Sequence, residues 1–192
     1  LSYDHLTGIP NRAAFFALLP MAIERLYQSK KMMAVIILDI DHFTRINDAL
    51  GHSIGDELLI NIVKQLKLVG GEKHFIARLG SDDFGILIEN MDNLKQIKEI
   101  AKEYSEAIRN LSVPSEQNIK ISATLGISVA PLSGLSTSEL VQHADLALYK
   151  ARLKGPNNIA FYDQSITKKF LRKRAIEENL RNAIENNELS LV

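Results

Sequence analysis

Uninterrupted apolar runs mark the strands that this chain is expected to form. Residues 33–38 are apolar throughout, which indicates a strand buried on both faces that ends at Asp39. Two further apolar runs flank the small and acidic segment Gly80-Ser81-Asp82-Asp83. Runs of this length on either side of a Gly and Ser connection predict a β-hairpin over residues 74–89. Both aspartates would then lie at the tip of that hairpin.

Helical periodicity accounts for most of the chain between these strands. The apolar positions and the N-terminal signals predict helices that begin near Asn11, Phe43, Ser53, Asn93 and the capping box Ser136–Glu139. Ser53 is followed three residues later by Asp56, which is the spacing of a capping arrangement. Residues 121–129 alternate between apolar and polar or small side chains, which predicts a half-buried strand. Residues 113–118 predict a loop, and residues 158–162 predict a short last strand.

The order of these predicted elements indicates a fold class. Strand, two helices, hairpin, helix and strand describe a ferredoxin-like α/β arrangement, an α+β sandwich in which helices cover an open sheet. The last helix and the last strand add one further strand to that arrangement. We therefore expect one α/β domain whose sheet has five strands.

Composition and charge exclude several classes of function. The chain has 192 residues, 46% of them hydrophobic, which is enough for one domain with a core and an appendage. Its 23 basic residues balance 23 acidic ones, whereas a nucleic-acid or membrane-surface partner normally requires a basic excess. There is no cysteine, and no apolar run approaches the roughly 20 residues of a membrane span. We expect a cytoplasmic fragment without contact to nucleic acid or membrane.

The candidate chemistry is concentrated where carboxylates follow the predicted strands. Asp39 ends the first strand, and Asp82 lies in the hairpin, so the two could meet at one edge of the sheet. Together with the main-chain carbonyl of Ile40, they would form an all-oxygen site suited to Mg²⁺ that holds a nucleotide phosphate. The alternative for Asp82 and Asp83 is an ordinary solvated acidic turn.

Five motifs in order, between residue 4 and about residue 162, resemble the GGDEF family of diguanylate cyclases. They are Asp4–Arg12, Leu38–Asp48, Gly51–Asp56, Arg78–Phe84 and Ala144–Ala151. The resemblance implies a palm-like, mostly antiparallel five-stranded sheet surrounded by helices. It also implies an activity: a homodimer joins two GTP molecules into cyclic di-GMP and releases pyrophosphate.

The resemblance assigns roles to residues of this chain. Asp39, the carbonyl of Ile40 and Asp82 would hold Mg²⁺ or Mn²⁺, and the catalytic residues would be Asp82 and Asp83. The nucleotide-binding residues would be His42, Phe43, Thr44, Asn47, Asp56, Arg78, Gly80, Ser81 and Arg152. Among them Asn47 and Asp56 would recognise guanine, although Asp56 is also explained as an acid in the first turn of a helix. Asp4 is expected to pair with Arg12 and to order the start of the domain.

This sequence departs from the family pattern at positions that bear on catalysis. Ser81 replaces the second Gly of the signature, and Asp83 replaces a Glu, so its carboxylate is one methylene shorter. Thr44 and Pro156 stand where the family has phosphate-binding Lys and Arg, and Arg152 stands in place of another Lys. These changes predict a weak or inactive cyclase that still binds GTP. The alternatives are a fully active cyclase and a structural dimerisation module.

The product-inhibition site of the family is also altered. Its Arg and Asp correspond to Gly71 and His74 here, so inhibition by bound cyclic di-GMP is not expected.

Residues 1–163 are predicted to be the GGDEF domain. Residues 164–192 are predicted to be a linker helix and the start of a truncated domain, because residues 174–192 resemble the beginning of an EAL phosphodiesterase domain. The function expected is therefore regulation of an attached EAL domain.

Overall fold

The computed structural model of the chain describes residues 2–113 and 119–186. It separates into two compact units, Leu1–Tyr162 and Asp163–Val192. The elements of the first unit, in chain order, are α1 Arg12–Gln28, β1 Met32–Ile40, α2 Phe43–Leu50, α3 His52–Gly70, β2 His74–Arg78, β3 Asp83–Met91, α4 Leu94–Arg109, β4 Ala123–Ala130, α5 Thr137–Leu153 and β5 Ile159–Phe161. The predicted loop at residues 113–118 lies, apart from Val113, outside the described residues.

The five strands form one mixed sheet in the order β2-β3-β1-β4-β5. β1 is antiparallel to both of its neighbours, β3 and β4, and β2 pairs with β3 in the antiparallel hairpin that the sequence predicts. β4 and β5 are parallel. The predicted α/β fold with a mostly antiparallel five-stranded sheet is therefore confirmed.

Each face of the sheet is covered by a different pair of helices. α3 and α4 cover one face, and α1 and α5 cover the other. β1 is central, so Ile36 and Leu38 are buried on the first face while Val35 and Ile37 are buried on the second. Full burial of such a side chain stabilises the fold by about 1.5–3 kcal/mol relative to exposure. The alternation of the strand then places Asp39 on the side of α1 and α5.

β4 is buried along its whole length, whereas the sequence predicts a half-buried strand. Its polar residues can be buried because their hydroxyls are hydrogen-bonded: Ser128 donates to the carbonyl of Leu140 at 2.6 Å, and Thr124 donates to Asp41 at 2.6 Å. Gly126 allows the closest approach of α5. A Cβ added there would lie 2.2 Å from backbone atoms of α5, so only glycine fits.

Three of the predicted N-terminal caps hold and one is wrong. Asn11 caps α1 by accepting a hydrogen bond from the amide of Ala14. Asn93 caps α4 by accepting a hydrogen bond from Gln96, and the capping box of α5 has both of its hydrogen bonds. The arrangement predicted at Ser53 is absent, because α3 begins at His52 with Gly51 as its N-cap and without a side-chain cap. Gly51 also ends α2 and has a φ of 90°, which a residue with a side chain rarely adopts.

The second unit contains α6, Gln164–Glu185. Lys173 and Arg174 lie four residues before Glu177 and Glu178, and the two pairs are 3.9 and 4.0 Å apart on an exposed surface. The assignment of residues 164–192 to a linker and the start of an EAL domain stays a prediction. Among the described residues, no helix combines the length and the apolar character needed to cross a membrane.

Candidate metal and nucleotide site

Three carboxylates meet where β1 ends and the hairpin turns. Asp39, Asp82 and Asp83 each offer an oxygen, and these oxygens lie within 4.8 Å of one another. Asp39 and Asp83 face each other in the register of β1 and β3. Asp82 lies in the turn, where its carbonyl accepts a hydrogen bond of 3.2 Å from the amide of Ile40. Asp83 is the first residue of β3, so only Asp82 is at the tip as the sequence predicts.

The electrostatics of this cluster favour a bound cation. Burial, a hydrogen bond with Asp83 and the negative charges of Asp82 and Asp83 raise the pKa of Asp39 to about 8, although Arg152 acts in the opposite direction. Three neighbouring carboxylates are mutually repulsive unless a proton or a cation balances them. An all-oxygen set of this kind is what Mg²⁺ and Mn²⁺ prefer, so the residues present fit either ion.

α5 adds one basic and one acidic residue to the site. The guanidinium of Arg152, in the last turn of α5, forms an ion pair with the carboxylate of Asp39. Asp145 lies on the same helix, and desolvation together with the charge of Asp83 raises its pKa, whereas Arg12 and Arg152 act to lower it. Sequence reasoning missed Asp145 as a site residue. The motif that contains it was recognised, but nothing in the spacing shows which side of α5 faces the carboxylates.

The other carboxylate at the end of β1 is not part of the cluster. Asp41 accepts hydrogen bonds of 2.6 Å from the hydroxyls of Ser122 and Thr124. It also accepts one of 2.8 Å from the amide of Asn157. These donors join the end of β1 to β4 and to the turn before β5, so the role of Asp41 is structural.

The turn between β2 and β3 is held by hydrogen bonds from its own residues. The amide of Leu79 donates to the carbonyl of Asp83 at 2.8 Å, and the guanidinium of Arg78 donates to the carbonyl of Ser81 at 2.7 Å. The hydroxyl of Ser81 donates to the carboxylate of Asp82. A Cβ added at Gly80 would lie 3.1 Å from the Asp83 carboxylate, so this position is tight for any other residue.

Arg78 also fixes the start of the domain, which corrects one sequence prediction. Asp4 pairs with Arg78 at 3.1 Å and not with Arg12. The reason is that the end of β2 lies beside the N-terminal segment, where the amide of Arg78 donates to the carbonyl of Pro10 at 2.9 Å. The guanidinium of Arg12 instead lies over the ring of Phe16, 4.9 Å from its centroid.

The predicted phosphate-binding segment lies at the start of α2. His42 has a left-handed conformation with a φ of 58° and precedes the helix without a side-chain cap. The first amides of α2 are therefore available to an anion. The side chain of Phe43 is buried in the core, so only its main chain can face a ligand, and Thr44 is exposed.

Asn47 and Asp56, the predicted guanine-binding residues, lie on the neighbouring helices α2 and α3. The Oδ1 atom of Asn47 is buried and has no hydrogen-bond partner within the described ranges. This oxygen can pack against α3 only because residue 55 is glycine, since a Cβ on Gly55 would lie 1.8 Å from it. Asp56 is exposed. A buried acceptor without a donor is costly unless a ligand supplies one.

Comparison with known proteins identifies the family. The family model described as "Diguanylate cyclase, GGDEF domain" matches residues 1–158. The chain belongs to the GGDEF family. The resemblance to this family drawn from the five sequence motifs is therefore confirmed.

Relatives of this GGDEF domain carry names of both cyclases and phosphodiesterases. Over 192 residues it is 32% identical to the bifunctional diguanylate cyclase/cyclic di-GMP phosphodiesterase MucR of Pseudomonas aeruginosa, covering 98% of this chain and 27% of MucR. Over 190 residues it is 31% identical to the cyclic di-GMP phosphodiesterase NbdA of the same organism, covering 98% of this chain and 24% of NbdA. The chain thus spans about a quarter of the length of these relatives.

A solved structure shares the fold over most of the chain. The GGDEF domain of TpbB (YfiN) from Pseudomonas aeruginosa superposes with a TM-score of 0.83 at 27% identity and covers 88% of this chain and 99% of that one. A second, the active GGEEF domain of a diguanylate cyclase from Vibrio cholerae, has a TM-score of 0.75 at 29% identity and covers 81% and 99%. Both agree with the palm-like arrangement of sheet and helices.

Proposed function

We propose that this GGDEF domain binds GTP together with Mg²⁺ or Mn²⁺ and works in cyclic di-GMP signalling as a weak or inactive diguanylate cyclase. The observation that carries the proposal is the group of three carboxylates formed by Asp39, Asp82 and Asp83. The buried acceptor of Asn47, which has no hydrogen-bond partner in the described part of the chain, supplies a second, separate feature that fits a ligand with hydrogen-bond donors.

The metal ion would be held by Asp39 and Asp82 with the carbonyl of Ile40, and Asp83 would complete the acidic surroundings. When bound, the ion supplies positive charge that neutralises the triphosphate and the leaving pyrophosphate. The chain itself binds and orients the nucleotide through the amides at the start of α2. In this proposal Asp82 also accepts the proton of the attacking 3′-hydroxyl.

Guanine recognition would follow from the residues on α2 and α3. Guanine presents two adjacent donors, N1–H and the exocyclic amine, and it presents O6 and N3 as acceptors. The buried Oδ1 of Asn47 and the carboxylate of Asp56 are acceptors, and the amide nitrogen of Asn47 is a donor. Adenine lacks the N1–H donor, so it leaves an acceptor unpaired and should be rejected.

Weak activity would follow from the residues that replace the family pattern. The hydroxyl of Ser81 donates to Asp82 and competes with the metal for that carboxylate. Thr44 is exposed and uncharged, and Pro156 carries no charge, so two cations are lost beside the triphosphate. Loss of one positioned charge-stabilising group costs about 2.7–4 kcal/mol of barrier in well-studied enzymes. Asp83 does reach the cluster, so its shortened side chain is not a sufficient cause by itself.

The proposed role in the full protein is regulation of an attached EAL phosphodiesterase domain. Its support is that MucR and NbdA both carry the name of a cyclic di-GMP phosphodiesterase and that this chain covers only about a quarter of either relative. Catalysis would require a homodimer in which each subunit holds one GTP. A domain that binds GTP without turning it over quickly would transmit GTP occupancy to the domain that follows.

Binding is tested by calorimetry with Mg²⁺ and either GTP or ATP. We expect saturable GTP binding that weakens at least about tenfold in Asp39→Ala and in Asp56→Asn. The matched control is Glu57→Gln, which changes an exposed carboxylate next to Asp56 on the same helix. Equal affinity for ATP and GTP would remove guanine recognition, and absence of GTP binding would leave only a structural dimerisation module.

Turnover is tested by restoring the family residues in one variant. Cyclic di-GMP formation should rise at least about tenfold, which is roughly 1.4 kcal/mol of barrier. The four changes are Thr44→Lys, Ser81→Gly, Asp83→Glu and Pro156→Arg. Asp82→Ala in the restored variant must abolish the gain. If the natural chain already turns over at the restored rate, the domain is a fully active cyclase.

A further inference from the structure

Arg152 occupies an unusual position for a residue expected at the phosphates of a nucleotide. Its guanidinium forms an ion pair with Asp39, one of the carboxylates that would hold the metal. The Asp39 side chain is 15% exposed, whereas the Arg152 side chain is 49% exposed. The cation therefore reaches from the surface into a partly buried acidic cluster.

We propose that Arg152 is an internal counter-cation of the metal site, which a divalent ion must displace and which then moves to the phosphates of the nucleotide. The inference deepens the proposed function and depends on it. Arg152 would in this way couple metal binding to nucleotide binding.

Displacement follows from the charges and the space at the cluster. Arginine remains protonated at all physiological pH values, so it cannot leave the carboxylate by losing its charge. A divalent ion held by Asp39 and a guanidinium paired with the same carboxylate would be close together and would repel each other. The two cations therefore compete for the negative charge of Asp39.

The released side chain has a destination close to the carboxylates, because α2, whose first amides would bind the phosphates, begins at Phe43, shortly after β1 ends at Ile40. Arg152 lies in the last turn of α5, and half of its long side chain is already in solvent, so its head can move without disturbing the core. A guanidinium matches the oxygens of a phosphate with a bidentate fork. Metal binding would thus release a cation for the triphosphate, and the contact with the triphosphate would stabilise the state in which Arg152 has left Asp39.

The consequence is positive coupling between the two ligands. When the metal binds alone, its binding free energy is reduced by the loss of the ion pair between Arg152 and Asp39. When the nucleotide binds as well, Arg152 gains a new partner in the phosphates, which offsets that loss. By linkage, the factor by which nucleotide raises metal affinity equals the factor by which metal raises nucleotide affinity. Removing Arg152 should therefore strengthen the binding of metal alone and weaken the binding of nucleotide, which are opposite signs.

The test measures Mn²⁺ and nucleotide affinities of the 192-residue chain and of three variants. Electron paramagnetic resonance of free Mn²⁺ gives the metal affinity. Calorimetry at saturating Mn²⁺ with guanosine 5′-[α,β-methylene]triphosphate, which cannot lose pyrophosphate, gives the nucleotide affinity. The variants are Arg152→Gln, Arg152→Lys and, as a matched control, Lys154→Gln, which removes an exposed positive charge two residues away on the same helix end.

In Arg152→Gln, Mn²⁺ alone should bind about fivefold more tightly, the factor that corresponds to an ion pair worth about 1 kcal/mol. The nucleotide should bind at least about fivefold more weakly at saturating Mn²⁺. Arg152→Lys should return the Mn²⁺ affinity to within about threefold of the natural chain, because the charge is kept, and should restore the nucleotide affinity only in part, because an ammonium lacks the bidentate fork. Lys154→Gln should change neither affinity by more than about twofold.

Several results would overturn the inference. They are an unchanged or weaker Mn²⁺ affinity in Arg152→Gln, an equal gain in Lys154→Gln, or an unchanged nucleotide affinity in Arg152→Gln. In each of these cases the proposed function stands if Mn²⁺ and the GTP analogue still bind together. If neither the natural chain nor Arg152→Gln binds Mn²⁺, the inference and the proposed metal site both fail.

Discussion

The contact between α2 and α3 makes a mutational prediction whose sign depends on the background. Gly55 lies in the first part of α3, where Gly→Ala would ordinarily stabilise a helix by about 1 kcal/mol. Here the new Cβ would lie 1.8 Å from Oδ1 and 2.9 Å from Cγ of Asn47, and 3.2 Å from Cζ of Phe43. The methyl group and the amide cannot occupy their places together, so one of them must move.

The expected magnitude follows from what Asn47 must give up. Leaving a preferred rotamer costs about 0.5–1.5 kcal/mol, and overpacking a well-filled site costs about 1–3 kcal/mol. These costs offset or exceed the gain in helix propensity, so Gly55→Ala should lower the free energy of unfolding by about 0–2 kcal/mol. In an Asn47→Ala background the two closest obstructing atoms are gone and only Cζ of Phe43 at 3.2 Å remains, so the same change should stabilise by up to about 1 kcal/mol.

Urea unfolding of the natural chain, both single variants and the double variant measures this coupling. Calorimetry should also show that Gly55→Ala weakens GTP binding about fivefold to tenfold, because a displaced amide loses about one hydrogen bond to the base. The reasoning is refuted if Gly55→Ala stabilises the chain equally in both backgrounds. That result would mean that the amide of Asn47 is not packed against α3.

Three further predictions concern pH, the product and the packing of α5. The pKa of Asp39 is about 8 in the folded chain against an ordinary 3.8, so the stability that its proton contributes is lost as pH rises from about 4 to about 8. Thermal unfolding of the metal-free chain should therefore show a melting temperature that falls over this range, and Mn²⁺ should reverse the fall. The same slope in Asp39→Asn would contradict this prediction. Cyclic di-GMP should not bind in calorimetric titration, because Gly71 offers no guanidinium and His74 no carboxylate; saturable binding would show that another site exists. Gly126→Ala should lower the free energy of unfolding in urea by about 3 kcal/mol, since its Cβ would meet backbone atoms of α5 at 2.2 Å, and a loss below about 1 kcal/mol would show that α5 can shift freely.

Much of the fold can be predicted from the sequence because its signals are local. The apolar run of β1 and the capping box Ser136–Glu139 each specify their own element. The burial of β4 cannot be predicted in this way. Thr124 and Ser128 look like an exposed face, yet each hydroxyl has a partner distant in sequence, and only those partners permit burial.

The site shows the same limit. Strand ends and the hairpin predict that Asp39 and Asp82 meet, and the structure brings them together with Asp83. The pairing of Asp4 with Arg78 could not be chosen over Arg12, because sequence spacing does not show which guanidinium the sheet brings near. Asp145 was missed for a related reason: its environment is set by the packing of α5 on the sheet.

The two carboxylates at the end of β1 should follow different evolutionary histories. Asp41 accepts hydrogen bonds from three donors in two other segments, so its loss should lower the free energy of unfolding and be selected against. In the proposed function Asp39 serves metal binding, and its side-chain partners Arg152 and Asp83 belong to the same site, so a lineage can discard it and keep an intact domain. Loss of catalysis in this fold can therefore begin at Asp39 without loss of folding, and a domain without activity can persist as a folded part of a larger protein.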